Sequence, residues 1–273
     1  MTARRPEVVP PLHVLKVVTF NTWKCDGDYA ARVEAMSQQM MLLQADIYAL
    51  QESFATVDGT TDTAVFFAKH RGNQIHPASS RRQRRWFQGA WGGSYTSLAM
   101  LTRFPLISAK VVELPSSTAD GGRVAQLCAI ETAERSVLLA NTHLSHLPQA
   151  EGGALRTEQL RALLNEMARW PRPDLALVCG DFNASLDSDE FAPFMESPWG
   201  LMDAYAQAGG DEKFTCRTPK GNGLNLDHIL CMPSCSNTLV DYLDASVVLN
   251  GSTSQGGVLP SDHAGVQVTF SLN

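Results

Sequence analysis

No stretch of about 18 consecutive apolar residues occurs in the chain, so no membrane-spanning helix is expected. Arg4 and Arg5 near the N-terminus are not followed by an apolar run; residues 1–11 read as a short tail rather than a secretory signal, and 12–273 as a single folded unit. Positive charge is in short supply, with 22 Lys and Arg against 28 Asp and Glu and a net charge of −6. The surface as a whole is therefore no magnet for polyanions, and any anionic substrate needs a local cluster of cations or a metal. Cysteine is poorly spaced for metal binding: Cys231 and Cys235 form a close pair, but no second close pair accompanies them, which argues against a structural zinc site. Reduced thiols in a cytoplasm are the expectation. Internal repeats and low-complexity stretches are also missing.

What is present is a set of apolar runs of strand length. Val14–Phe20 is rich in β-branched residues and reads as a buried strand, Arg32–Leu43 has helical spacing, and Asp46–Leu50 reads as a second strand. Thr63–Ala68 is expected to be a further strand. The runs 95–101, 106–114, 124–130 and 137–142 alternate with turn signals such as Asp120-Gly-Gly122. Leu155–Trp170 has the pattern of an amphipathic helix stopped by Pro171 and Pro173. A strand at Leu175–Cys179, helical pieces near Glu190–Met195 and two closing strands, Leu226–Cys231 and Ala264–Phe270, complete the order. Crossovers with helices mixed with runs of adjacent strands indicate an α/β chain with two sheets packed face to face and helices outside.

Polar residues stand at the ends of these apolar runs where a core has no need of them. The motifs are Phe20-Asn21-Thr22, Leu50-Gln51-Glu52, Asn141-Thr142-His143-Leu144, Gly180-Asp181-Phe182-Asn183, Leu226-Asp227-His228 and Ser261-Asp262-His263. Each has an ordinary explanation alone: Asn21 as a turn former, Asp181 as a helix cap, His143 as a satisfied buried histidine. Together, in order, they are hard to explain as accidents. If the strand ends converge, the carboxylates repel one another unless a cation neutralises them. Oxygen-rich donors with few sulfurs suit a hard ion such as Mg²⁺.

The ordered motif set resembles the endonuclease/exonuclease/phosphatase superfamily. Ser97-Leu-Ala-Met-Leu-Thr-Arg-Phe-Pro105 is similar to its G-x-A-I-L-S-R-x-P strand and turn, and Arg156-Thr-Glu-Gln159 to the helix after its His motif. The resemblance spans roughly Val14 to Phe270. It implies a four-layered α-β-β-α sandwich of two mixed sheets, DNase I-like, with the site on one edge. It implies Mg²⁺, with Mn²⁺ as a substitute, held by Glu52 with Asn21 close by and Asp262 in support. Asp181 would orient and deprotonate water, and Asn183 would hold that water or a phosphate oxygen. His263, backed by Asp227, would meet the phosphoryl oxygen, and His143 would bind phosphate or assist the leaving group. The implied activity is hydrolysis of a phosphoester, with nucleic acid among the substrates; a phosphomonoesterase, a lipid phosphoesterase and a catalytically dead binding module are the alternatives. Asn-Thr-His-Leu and Asn21-Thr-Trp-Lys24 depart from the apurinic endonuclease branch and look more like the sphingomyelinase, deadenylase and tyrosyl-DNA phosphodiesterase branches.

The segment 76–95 carries Arg81, Arg82, Arg84, Arg85, Trp86 and Trp91. Arg84, Arg85 and Trp86 are candidates to clamp phosphate and stack a base; a solvated loop is the other reading. Arg123 is a further candidate phosphate contact, against an ordinary strand-edge charge.

Overall fold

The structure is a computed structural model that describes residues 13–71, 74–131, 135–196, 198–212, 214–217, 223–237, 240–252 and 257–272. The proposed tail, residues 1–11, lies outside them. The first half of the chain runs β1 (Val14–Asn21), α1 (Tyr29–Leu43), β2 (Ile47–Thr56), α2 (Thr63–Arg71), β3 (Gln74–Phe87), β4 (Ala90–Thr102), β5 (Leu106–Leu114), β6 (Arg123–Glu131) and β7 (Ser136–His143). It continues with α3 (Gln149–Met167), β8 (Leu175–Asp181), α4 (Ala192–Met195), β9 (Met202–Asp203), α5 (Ala204–Gln207), β10 (Cys216–Arg217), β11 (Gly223–Leu224), β12 (Asp227–Cys231), β13 (Val240–Val248) and β14 (Gly265–Leu272).

Two six-stranded sheets result, in the orders β13-β14-β1-β2-β4-β3 and β5-β6-β7-β8-β12-β9. Each is mixed: β1–β2 and β7–β8 are parallel and the other pairs antiparallel. Alternation along the strands sorts the side chains into layers. Val17, Ile47, Ala49 and Met100 from one sheet meet Cys128, Leu139, Leu177 and Ile229 from the other. The opposite faces pack under helices: Val18, Tyr48 and Leu101 with Met36, Met40 and Phe67 of α1 and α2, and Leu127, Leu138 and Val178 with Leu160, Leu163 and Leu164 of α3. This is the four-layered α-β-β-α sandwich. Among the described residues, no helix is long and apolar enough to cross a membrane. The six cysteines are free thiols.

Three expectations change. Thr63–Ala68 is helical: Asp62 caps the turn by accepting from Val65 N–H at 2.9 Å, and Ala64, Phe67 and Ala68 are buried at helical spacing. The β-branched and aromatic composition of Thr63–Phe67 imitates a strand. The arginine-rich segment is not a solvated loop but the β3–β4 hairpin, turning at Gln88 and Gly89 with φ of 50° and 81°. Finally, β13 pairs along β14, so three long strands and not two close the chain.

Candidate active site

Register places the site. β7 and β8 are parallel with His143 opposite Asp181, and β8 and β12 are antiparallel with Asp181 opposite Asp227. Three polar side chains are thus set on neighbouring strands at one level. In the other sheet, Asn21 at the end of β1 is opposite Gln51 on β2. Close approach of β7 and β8 requires Gly180, which has φ +151°; a Cβ there would lie 2.0 Å from Thr142 O.

Asp181 is the hub. It is buried, and its Oδ2 accepts from Asn21 Nδ2 at 2.9 Å while its Oδ1 accepts from the Asn183 backbone N–H at 2.9 Å. His143 Nε2 lies 3.5 Å and His263 Nε2 3.8 Å from Oδ2. His263 Nδ1 donates to Asp227 Oδ2 at 2.8 Å, which leaves Nε2 directed at Asp181. Burial and the nearby Asp227 carboxylate push the Asp181 carboxyl above its ordinary value. Burial pulls the His263 imidazolium down, but Asp227 and Asp181 outweigh it and hold the group well above the usual histidine value. His143 goes the other way: burial, then the Arg123 charge, hold it well below that value, so it is neutral. A carboxyl group and an imidazole with raised proton affinity and an imidazole with lowered proton affinity therefore face each other.

Glu52 stands on the opposite wall. It sits in a β-bulge, where the β2–β4 register shifts between Leu50 and Ser53, and its φ is +53°. The bulge turns its side chain out of the sheet's alternation toward the cleft. Burial raises the Glu52 carboxyl, and its cation is Lys24, whose Nζ is 2.9 Å from Oε2. Asn21, Glu52, Asp181, Asn183, Asp262, His143 and His263 line a cleft of about 350 Å³. Asp227 is buried behind His263, and one of its oxygens, Oδ1, has no hydrogen-bond partner among the described residues. His228 of the same motif points away and donates from Nε2 to Ala184 O at 3.0 Å, against the Phe182 ring.

The donor set fits a hard divalent cation. Glu52, Asp181 and Asp262 border one cleft, burial disfavours charge on the first two, and Lys24 is the cation placed against Glu52. Asp181, Asp227 and His263 also place ligand atoms within 4.8 Å of one another. The His263–Asp227 hydrogen bond occupies that trio, so the Glu52 side of the cleft is the better seat for an ion.

The sequence profile of the Endonuclease/Exonuclease/phosphatase family matches residues 18–263. The chain belongs to the endonuclease/exonuclease/phosphatase family. Solved structures of similar fold include D. rerio TDP2 complexed with single strand DNA product, at 20% identity and a TM-score of 0.72, covering 94% of this chain and 99% of that one. An endonuclease/exonuclease/phosphatase family protein from Leptotrichia buccalis matches with 18% identity and a TM-score of 0.71, over 94% of this chain and 100% of the other. Truncated Caenorhabditis elegans TDP2 matches with 21% identity and a TM-score of 0.69, over 94% and 98%. At these identities the likeness is one of fold. No curated protein sequence matches the chain.

The other candidates of this phosphoesterase-family chain divide. Arg85 lines the cleft, donating through Nη2 to Gln83 Oε1 at 2.7 Å and Thr96 Oγ1 at 3.1 Å. Arg84 and Trp86, its neighbours on β3, alternate to the opposite face and are exposed outside the cleft. Trp86 packs edge-on against Trp91, its cross-strand partner, with ring centroids 6.0 Å apart. Arg123 borders the cleft with its guanidinium forked on Asp120, Nε to Oδ2 at 3.1 Å and Nη2 to Oδ1 at 2.9 Å. Lys24, Asp120 and His146 also line the cleft and were missed. Lys24 had a local signal, three residues beyond Asn21. Asp120 was hidden in a turn motif, and His146 lies just past the His143 motif.

Proposed function

We propose that this chain is a divalent-metal-dependent phosphodiesterase, using Mg²⁺ or Mn²⁺, that attacks a nucleic-acid-type phosphoester with water. The observation that carries the reading is the Asp227–His263–Asp181 row facing the Glu52 carboxylate across one cleft. Glu52 and Asp262, with Asn21 Oδ1, are the groups that would hold the cation, which when bound supplies positive charge to the phosphoryl oxygens. Asp181 takes the proton of the attacking water; its raised proton affinity makes it a stronger base than an ordinary carboxylate. Asn21 and Asn183 fix its orientation. His263 donates from Nε2 to a phosphoryl oxygen as negative charge gathers there, and Asp227 holds both its orientation and its proton. Neutral His143 contacts the phosphate, and Arg85 an outlying part of the substrate. The single strand DNA product bound by the D. rerio TDP2 structure favours a nucleic-acid substrate over a lipid one.

The test is turnover of bis(p-nitrophenyl) phosphate. Activity is expected to vanish in chelator and return with Mg²⁺ or Mn²⁺. Glu52→Gln should weaken the Mg²⁺ titration at least about tenfold, the effect of losing one ligand charge, roughly 1.4 kcal/mol. Full activity in excess chelator, or an unaltered titration in the variant, would remove the metal from the mechanism.

A further inference from the structure

Beside the Asp181 centre, on the side of the second sheet away from β12, lies a cluster that the mechanism above does not use. Asp120 has no exposed side-chain surface and accepts the Arg123 fork. Its Oδ1 is also 2.9 Å from His146 Nδ1, and Arg123 Nη2 lies 2.7 Å from that same nitrogen. Arg123 Nη1 donates to the His143 carbonyl at 3.4 Å, which ties the cluster to the strand end that carries His143. The His146 side chain is 58% exposed and borders the cleft. A buried carboxylate thus holds a guanidinium and an imidazole side by side at the rim.

We infer that His146 and Arg123, positioned by Asp120, form a second phosphate subsite, which takes a phosphate one sugar unit away from the bond that is cut. The inference rests on the phosphodiesterase reading above and narrows its substrate class to a sugar-phosphate backbone. Hydrogen-bond chemistry supports it. Arg has no acceptor, so if Nδ1 bonds Arg123 it must accept, and the ring proton is on Nε2. If Nδ1 instead donates to Asp120, Arg123 Nη2 is relieved of that nitrogen and has an N–H to offer the phosphate. Both arrangements present a donor to a phosphate oxygen. Arg123 adds positive charge beside it, and Asp120 keeps the guanidinium and the imidazole together in the absence of ligand. Spacing supports it as well: Arg123 on β6 is two strands from Asp181 on β8, about 10 Å at the usual ladder spacing. Arg123, His146 and Asp181 line the same cleft, so a sugar bearing two phosphates can lie along it between them.

The experiment compares binding of thymidine 3′,5′-bisphosphate and thymidine 5′-monophosphate to the full chain in MgCl₂ by titration calorimetry. The wild type is expected to bind the bisphosphate at least about tenfold more tightly, as one charge-assisted hydrogen bond is worth roughly that factor. In His146→Ala the ratio should fall close to one, and in His146→Gln, whose amide nitrogen restores a donor, it should recover most of its value. A wild-type ratio near one, an unchanged ratio in His146→Ala, or no recovery with Gln would overturn the subsite and leave the phosphodiesterase reading intact. Binding of neither nucleotide by the wild type would refute that reading, and the subsite with it.

Discussion

In the mechanism proposed above, Asp181 takes a proton from water and His263 meets charge on the phosphoryl group, and Asp181 Oδ2 lies 3.8 Å from His263 Nε2. Contacts made mainly in the transition state lower kcat when removed and spare substrate binding. Asp181→Asn and His263→Ala are each expected to lose at least about a hundredfold in kcat. The double variant should lose less than the product of the singles, because both serve one transition state. Near-wild-type kcat in either single variant, in protein whose circular dichroism is unchanged, would refute its role. His143 makes a separate prediction through stability. It is held neutral in the fold, while the unfolded chain takes up a proton once pH falls below about 6.5, so acid favours unfolding by up to about 1.4 kcal/mol per pH unit over that window. His263 has the opposite sign: its contribution is complete below its ordinary value and is lost as pH rises through its elevated one. His143→Gln should therefore decline less steeply than wild type between pH 7 and pH 5.5 in urea titrations with chelator present. Parallel declines would mean that His143 takes up protons equally in both states.

At the scale of elements, the site depends on two buried arginines that never touch it. Arg32 of α1 donates to the carbonyls of Thr22, Trp23, Lys24, Asp26 and Pro260 at 2.8–3.1 Å. Trp23 and Lys24 have φ of 56° and 45°, and the guanidinium holds this left-handed turn in place, stacked over the Trp23 ring. It thereby sets Lys24 against Glu52 and fastens the segment leading into Asp262 and His263. Arg156 of α3 does the same for the loop after β7: it pairs with Glu190 and donates to the carbonyls of Ser145 and Leu147. Gln159, one turn on, accepts from Ser145 N–H at 2.8 Å. The Arg156-Thr-Glu-Gln159 motif thus acts as a clamp on the loop that carries His146. Arg32→Met keeps length and apolar bulk but strands several buried carbonyls. A loss on the order of 3 kcal/mol is expected in urea unfolding, with kcat also reduced. Wild-type stability and kcat would show that the turn holds itself.

For the whole molecule, a net charge of −6 has to be reconciled with the polyanionic substrate proposed above. The solution lies in placement: Lys24, Arg85, Arg123 and His263 gather around one cleft. The hairpin alternation separates Arg85, which faces that cleft, from Arg84, which does not. On a single-stranded oligonucleotide, Arg85→Ala should raise KM about tenfold and reduce the salt dependence by roughly one phosphate contact. Arg84→Ala should leave KM within about twofold, as for a solvated surface charge. Equal effects would mean that substrate wraps both faces of the hairpin.

Much of this chain is written locally. Apolar runs of strand length, the turn chemistry between them and the polar residues at their ends are properties of neighbouring positions, and they were enough to indicate the sandwich, the family and the residues from Asn21 to His263 that line or back the cleft. Patterns that compete locally were read wrongly or left open: Thr63–Phe67 has strand composition but sits on a helix, and the arginines of β3 gain their order from pairing with β4. β13 carries aspartates at two of its three exposed positions and reads weakly until β14 pairs with it. Only the tertiary structure decided which cations meet which carboxylates: Lys24 with Glu52, Arg123 and His146 with Asp120, Arg156 with Glu190. The physical reason is that period and propensity act over a few residues, whereas the worth of a buried charge is set by partners brought from distant strands, and those partners exist only once the two sheets have packed.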